Sequence, residues 1–172
     1  MAAVTGTAQL VAGFNQTVTS GLITTQTLPA SISLTTQYAN GTGAGAIDLI
    51  YARQIALVAS TPQTLDLTAL TDLSGATVNF ARVRELVVQV VTTTSAFNVT
   101  LGAAAANPWT PLWGTTGTDT VFAGSIRYFT DPTSIGSGVG AVTSGTSKNL
   151  KLDPGSNNVT INLLIAGCSA VS

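Results

Sequence analysis

The chain has no histidine, one cysteine (Cys168) and one methionine, Met1. Without histidine, the commonest proton shuttle near neutral pH is missing, and so is the commonest transition-metal ligand. Neither a Ser-His-Asp nor a Cys-His nucleophilic arrangement can be assembled within the chain. A structural zinc site needs about four Cys or His ligands, and Cys168 is the only residue of either kind. A lone cysteine also rules out an intrachain disulfide. Cys168 follows an apolar run near the C-terminus and reads as a small buried residue rather than a nucleophile.

Charge is the second scarcity. Only 8% of the 172 residues are charged, whereas an average soluble domain carries about 25%. Six Lys/Arg against seven Asp/Glu leave a net charge of −1. Nucleic-acid binders need a basic stripe to neutralise phosphates. The densest basic spot here is Arg82 and Arg84, with Glu85 adjoining it, so no nucleic-acid partner is expected. Long apolar runs are missing too. Asp48 and Arg53 break the best candidate, residues 46–59, short of the roughly 18 residues a spanning helix needs. No membrane partner is expected. The start, Met1-Ala-Ala-Val-Thr-Gly, lacks the basic and apolar regions of a secretion signal.

What fills the gap is Thr, with 29 residues, beside 14 Ser, 9 Asn and 17 Gly. The length is that of one domain, able to bury roughly two thirds of its unfolded surface. A near-neutral, charge-poor chain lacks the repulsion that keeps molecules apart. Much of its surface is therefore expected to be covered by partners, further copies of itself among them.

Residues 1–45 are uncharged and rich in Thr, Ala and Gly. Ser31-Ile-Ser-Leu-Thr-Thr-Gln alternates as a strand does, and Asn40-Gly-Thr-Gly-Ala-Gly signals a turn. This region reads as an extended N-terminal arm with one or two strands; Leu10, Val11, Leu22, Ile23 and Leu28 argue against a disordered linker. Residues 46–172 read as a compact β domain. Ile47, Leu49, Tyr51, Arg53, Ile55 and Leu57 share one face, with Arg53 the exception. Leu65 and Leu67 point inward from the next strand. Residues 83–94 are apolar on both faces, as a doubly covered central strand is. Val99 and Leu101 alternate with polar neighbours, and Val159, Ile161, Leu163 and Ile165 do the same. Further strands are expected over 125–130 and 149–152. Ser74-Gly, Asn107-Pro, Asp131-Pro and Asp153-Pro-Gly punctuate the runs. Many short strands with such turns indicate an all-β antiparallel sandwich, jelly-roll-like, or a barrel. No 3.6-residue apolar period is present; the one helical possibility is a turn over 68–73.

Candidate chemistry is thin. Asp66 and Asp72 lie close enough in sequence for a carboxylate pair or calcium ligands, but the Asp-x-Asp-x-Asp-Gly pattern is absent. The Gly41-x-Gly-x-Gly and Gly136-x-Gly-x-Gly runs carry no P-loop Lys-Ser/Thr. Ser147 and Lys148 are strand neighbours and so face opposite ways. No catalytic residue, metal or cofactor is expected, and no enzyme. The most distinctive segment, Asn107-Pro-Trp-Thr-Pro-Leu-Trp113, gathers both tryptophans. Trp109 and Trp113 are either interface anchors or an indole plug for one end of the domain, with the plug slightly favoured because large aromatics fill cores efficiently. The candidate interface residues are thus Leu10, Val11, Leu22, Ile23, Leu28, Trp109 and Trp113.

From Asn40 onward the order of segments resembles small phage and prophage virion proteins. The matching pieces are Asn40-Gly-Thr-Gly-Ala, Leu65-Asp-Leu-Thr-Ala-Leu-Thr-Asp, Val78-Asn-Phe-Ala-Arg-Val-Arg-Glu-Leu-Val-Val, Val99-Thr-Leu-Gly-Ala-Ala-Ala-Ala-Asn-Pro-Trp, Val142-Thr-Ser-Gly-Thr and Val159-Thr-Ile-Asn-Leu-Leu-Ile-Ala-Gly. The chain departs from that group at Ala123-Gly-Ser, where a Pro-Gly-Gly turn is expected. The resemblance implies a structural protein of the virion, assembled in the host cytoplasm. With the composition, it points to a capsid decoration (cement) protein on the particle surface. Its partners would be the major capsid protein or other virion proteins, and copies of itself, a trimer being favoured. The alternative is a tail or fibre module that binds a host-surface glycan or protein through its tryptophans.

Overall fold

The computed structural model of the chain describes residues 5–20, 23–132 and 140–170, with side chains for all of these except 12–32. Its strands are β1 (Gly6–Ser20), β2 (Ile23–Asn40), β3 (Ala46–Ile47), β4 (Leu49–Leu57), β5 (Gln63–Asp66), β6 (Leu70–Thr71), β7 (Thr77–Val78), β8 (Arg82–Val90), β9 (Asn98–Gly102), β10 (Thr118–Phe122), β11 (Ile126–Thr130), β12 (Asn149–Asp153) and β13 (Val159–Cys168). No helix occurs among the described residues. Where the sequence leaves room for a helical turn, at 68–73, the chain turns at Leu67-Thr68 and enters the small β6–β7 pair instead. The cause is local. Asp66 accepts from the Thr68 backbone N–H at 2.9 Å and its hydroxyl at 2.6 Å, and Asp72 holds Ser74 in the same way. Such side-chain-to-backbone bonds compete with helix formation.

The protein is all-β, and two four-stranded antiparallel sheets carry its body. One runs β11-β8-β13-β4 and the other β10-β9-β12-β5. Strand residues alternate faces with period two, and the inward set from both sheets forms one hydrophobic cluster. From the first sheet it takes Tyr51, Ile55, Leu86, Val88, Ile161 and Leu163; from the second, Leu65, Val99, Leu101, Val121, Leu150 and Leu152. β8 and β13 are the inner strands of their sheet, β8 between β11 and β13, β13 between β4 and β8. Only one face of each packs into the core. The double cover expected of residues 83–94 is incomplete, since Val87 and Leu164 line an open groove on the other face. β6, β7 and β10 carry little signal. Thr118-Asp-Thr-Val-Phe buries only Val121.

One irregularity shapes the rest. The β13–β8 register shifts between Ala166 and Gly167, so Ala166 faces Glu85 while Gly167 faces Val83, and Arg84 is the extra residue. A Cβ on Gly167 would sit 2.0 Å from the Arg82 carbonyl oxygen, so only glycine permits this approach. The bulge leaves Arg82, Arg84 and Glu85 all buried. Arg84 donates to the carbonyls of Asp131 at 3.2 Å and Gly43 at 3.0 Å.

The segment read as an arm is a two-stranded antiparallel ribbon. β1 and β2 pair from Gly6↔Tyr38 to Ser20↔Ile23; at about 3.4 Å per residue, β1 is roughly 50 Å long. β2 ends by pairing in parallel with β3, Ala39 opposite Ala46.

Candidate interaction surface

The tryptophan loop faces inward. Trp109 is 2% exposed; its indole N–H donates to the Ala141 carbonyl at 2.9 Å. Trp113 stands edge-on to it, centroids 6.0 Å apart at 84°, and packs partly buried against the main cluster. Gly117 makes room for this, since a Cβ there would meet the Trp113 carbonyl oxygen at 2.0 Å. Trp109 is a core residue of the body, so its indole offers neither an interface anchor nor a stacking platform. Leu10 and Val11 are exposed. Leu22 lies outside the described residues, as do the side chains of Ile23 and Leu28. The tryptophans and Leu10 therefore do not form one site.

What the structure does assemble is the outer face of the sheet β11-β8-β13-β4. The alternation that sends Leu86, Val88 and Ile161 inward sends the intervening residues out, and the register stacks them in tiers. The first tier crosses Ile50, Ala166, Glu85 and Thr130; the second Ala52, Leu164, Val87 and Tyr128; the third Gln54, Asn162, Gln89 and Ile126. The third is an amide ladder: Gln54 donates to Asn162 at 3.1 Å, and Asn162 donates to Gln89 at 3.0 Å. The ribbon's root covers only the first tiers. Ala8 packs with Tyr38, Ile47 and Ala166, and Leu10 lines a space of about 280 Å³ with Val87, Ile126, Tyr128 and Leu164. Beyond it a wider groove of about 650 Å³ runs over Ala52, Gln54, Gln89, Asn162, Leu164 and Ile126.

A polar cluster pins the root. The Tyr38 hydroxyl donates to Glu85 Oε1, and the Thr130 hydroxyl donates to the same oxygen at 2.8 Å. Burial, reinforced by the Glu85 carboxylate, pushes the Tyr128 phenol up to about 12 and raises Tyr38 further in the same direction. A phenol held this way stays a neutral donor beside a buried carboxylate. In the sequence, Glu85 reads only as an offset to Arg82 and Arg84. The signal available was a charged run inside an otherwise apolar central strand, which needs partners when buried.

The remaining candidates are structural. Asp66 pairs with Lys148 at 2.6 Å. Partial burial works against its ionisation, but the bonds from Lys148 and Thr68 prevail and hold its carboxyl below the ordinary range. Ser147 Oγ accepts from the Thr110 backbone N–H at 3.0 Å, away from the Lys148–Asp66 pair. Cys168 is buried, bonded to the Ala46 carbonyl at 3.2 Å, and burial raises its thiol. The Gly41 run supplies the Gly43 carbonyl to Arg84; most of the Gly136 run lies outside the described residues. Among the described residues no group of three or more Cys, Asp or Glu gathers as a metal site would. Comparison of the chain with protein-family models, with curated proteins and with solved structures returns no match.

Proposed function

We propose that this chain is a phage virion structural protein, a decoration protein that docks on the head shell, with its two four-stranded sheets closed as a jelly-roll sandwich. The observation that carries the reading is strand order. The eight strands of the two sheets, taken in chain order, are β4, β5, β8, β9, β10, β11, β12 and β13. In one sheet their ranks run 1-8-3-6 and in the other 2-7-4-5. This nesting of first with last and second with seventh, over a shared core, is what two interleaved Greek keys produce. Jelly rolls recur in viral capsid and lectin domains, and fold alone does not choose between them. The choice rests on the surface: the Trp109 indole is buried, the ribbon is uncharged, and the segment order from Asn40 onward resembles virion proteins. Shell affinity then comes from apolar burial and from strand addition along the ribbon's free edge, multiplied by symmetry-matched contacts.

The test is co-sedimentation of the full chain with assembled heads of the phage that encodes it. Saturable binding that raises the temperature at which the heads rupture is the expected result. A chain that ignores heads but binds a glycan in an array would overturn this reading in favour of a tail or fibre module.

A further inference from the structure

We infer that the uncovered groove on the outer face of β11-β8-β13-β4 receives the ribbon of a second copy of this chain. The contact that seats the chain's own ribbon does not finish where that ribbon leaves it. Leu164 and Ile126 line both the small space under Leu10 and the larger groove beyond, and they remain 38% and 58% exposed. The ribbon carries matching chemistry. Leu10 and Leu34 are directly opposite each other in the register and are 45% and 41% exposed. The same alternate register positions continue up the ladder as Ala12↔Ile32 and Phe14↔Ala30, while the intervening ones are Gln9↔Thr35, Val11↔Ser33 and Gly13↔Ser31. The ladder thus separates an apolar set of positions from a largely polar one, and the apolar set is continuous with Leu10.

Charge selects the occupant. The first charged residue of the chain is Asp48, so the whole ribbon is uncharged. Arg53 is the single charged residue lining the groove, and its guanidinium already donates to the Asp72 carbonyl at 3.2 Å. A strongly charged partner finds one guanidinium to meet on the groove and nothing on the ribbon; a second copy brings an uncharged ribbon to a groove that is apolar and amide apart from Arg53. Area selects the arrangement. Two strands about 4.8 Å apart and roughly 50 Å long present a face of about 500 Å², short of the ~800 Å² per partner in a stable interface. A copy that gives its ribbon to one neighbour and receives one from another buries twice that. Closed exchange, as a reciprocal pair or a ring, uses both surfaces of every copy. The outer edge of β1, at the end of the order β1-β2-β3, stays free for other contacts. This inference stands on the two surfaces and does not depend on the virion reading.

Light scattering on the purified full chain, with no virion component present, tests it. The expected mass is two or more times 17.3 kDa. Leu34→Asp on the ribbon and Ile126→Asp in the groove each change an exposed residue and are expected to reduce the mass to one chain with the β circular-dichroism signal intact. Mixing the two variants leaves one working ribbon–groove contact per pair, below the area of a stable interface, so the mixture is expected to stay at single-chain mass at concentrations where the wild type assembles. Should Ile126→Asp unfold, the exposed Ala52→Glu addresses the same groove. A wild-type chain of single-chain mass overturns the inference, as does a multimer that neither surface's variants disturb. A monomer that still binds phage heads sinks ribbon exchange while leaving the shell reading intact. A ring that ignores heads upholds exchange and counts against the shell reading.

Discussion

The ribbon and the body are written in the same period-two pattern, yet they put it to different uses. In the body, the inward residues of one sheet meet those of the other, and Leu101, Leu150, Leu152, Ile161 and Ile165 have no exposure at all. In the ribbon, Leu10 and Leu34 face each other across the ladder, Leu10 only borders the space over Val87 and Leu164, and both stay exposed. A two-stranded hairpin on its own is marginal in water, and three strands or a packed partner are needed for independent stability. The root supplies that packing through Tyr38, Ile47, Ala8 and Ala166. Alternation alone therefore does not make a core. A facing layer does, and Leu10 and Leu34, with no full layer of their own, stay exposed.

The comparison breaks most visibly at Trp109. Trp109→Ala removes a buried indole and orphans the Ala141 carbonyl, so a loss of about 3–5 kcal/mol is expected, read as a lower midpoint in denaturant. A loss comparable to that of an exposed substitution would mean the loop is no part of the body's core. Glu85→Ala comes next. It strips the acceptor from the Tyr38 and Thr130 hydroxyls, a cost of about 1–3 kcal/mol for groups left unpaired. The effect should be local: amide hydrogen exchange should quicken at residues 36–40 and stay unchanged in β12. Equal acceleration in both places would show that root and body open as one unit.

Alkali probes the same joint more gently. The folded state holds Tyr128 neutral up to about 12, whereas an unfolded tyrosine ionises near ~10. A group whose folded value is raised contributes stability that is fully present below the unfolded value and lost as pH rises toward the folded one. The melting temperature should therefore be flat through neutral pH and fall between those two values. Tyr128→Phe should shallow that fall; an unaltered profile in the variant would assign the alkaline limb to other groups.

The body was largely legible in the sequence because its burial follows strict alternation. Tyr51, Ile55, Leu65, Leu67, Val99, Leu101 and the β13 set Val159, Ile161, Leu163 and Ile165 are all buried where the period places them. β10 was not, since Thr118 and Thr120 carry no apolar period and pairing with β9 alone defines it. Nor was the root cluster. Glu85 is turned onto the outer face by a bulge at Arg84, and a one-residue slip in register cannot be read from a strand of unbroken β propensity. The ribbon's two-faced character was hidden for a related reason: each strand alone alternates weakly, and only the Leu10↔Leu34 register reveals that the apolar halves coincide.

That register makes the smallest effect an informative one. Val11 is more exposed than Leu10 or Leu34, but it pairs with Ser33 on the face opposite Leu10. Val11→Thr should change stability by no more than about 0.5 kcal/mol, as surface substitutions do, and should leave the native mass unaltered. Leu10→Thr, one residue away, is expected to be just as mild on folding yet to weaken self-association. Stability is set by the body and the root, which neither change touches deeply, whereas ribbon exchange, as proposed above, uses one face only. Equal loss of association in both variants would mean that the ribbon binds by its edge, through backbone bonds indifferent to which side a residue points.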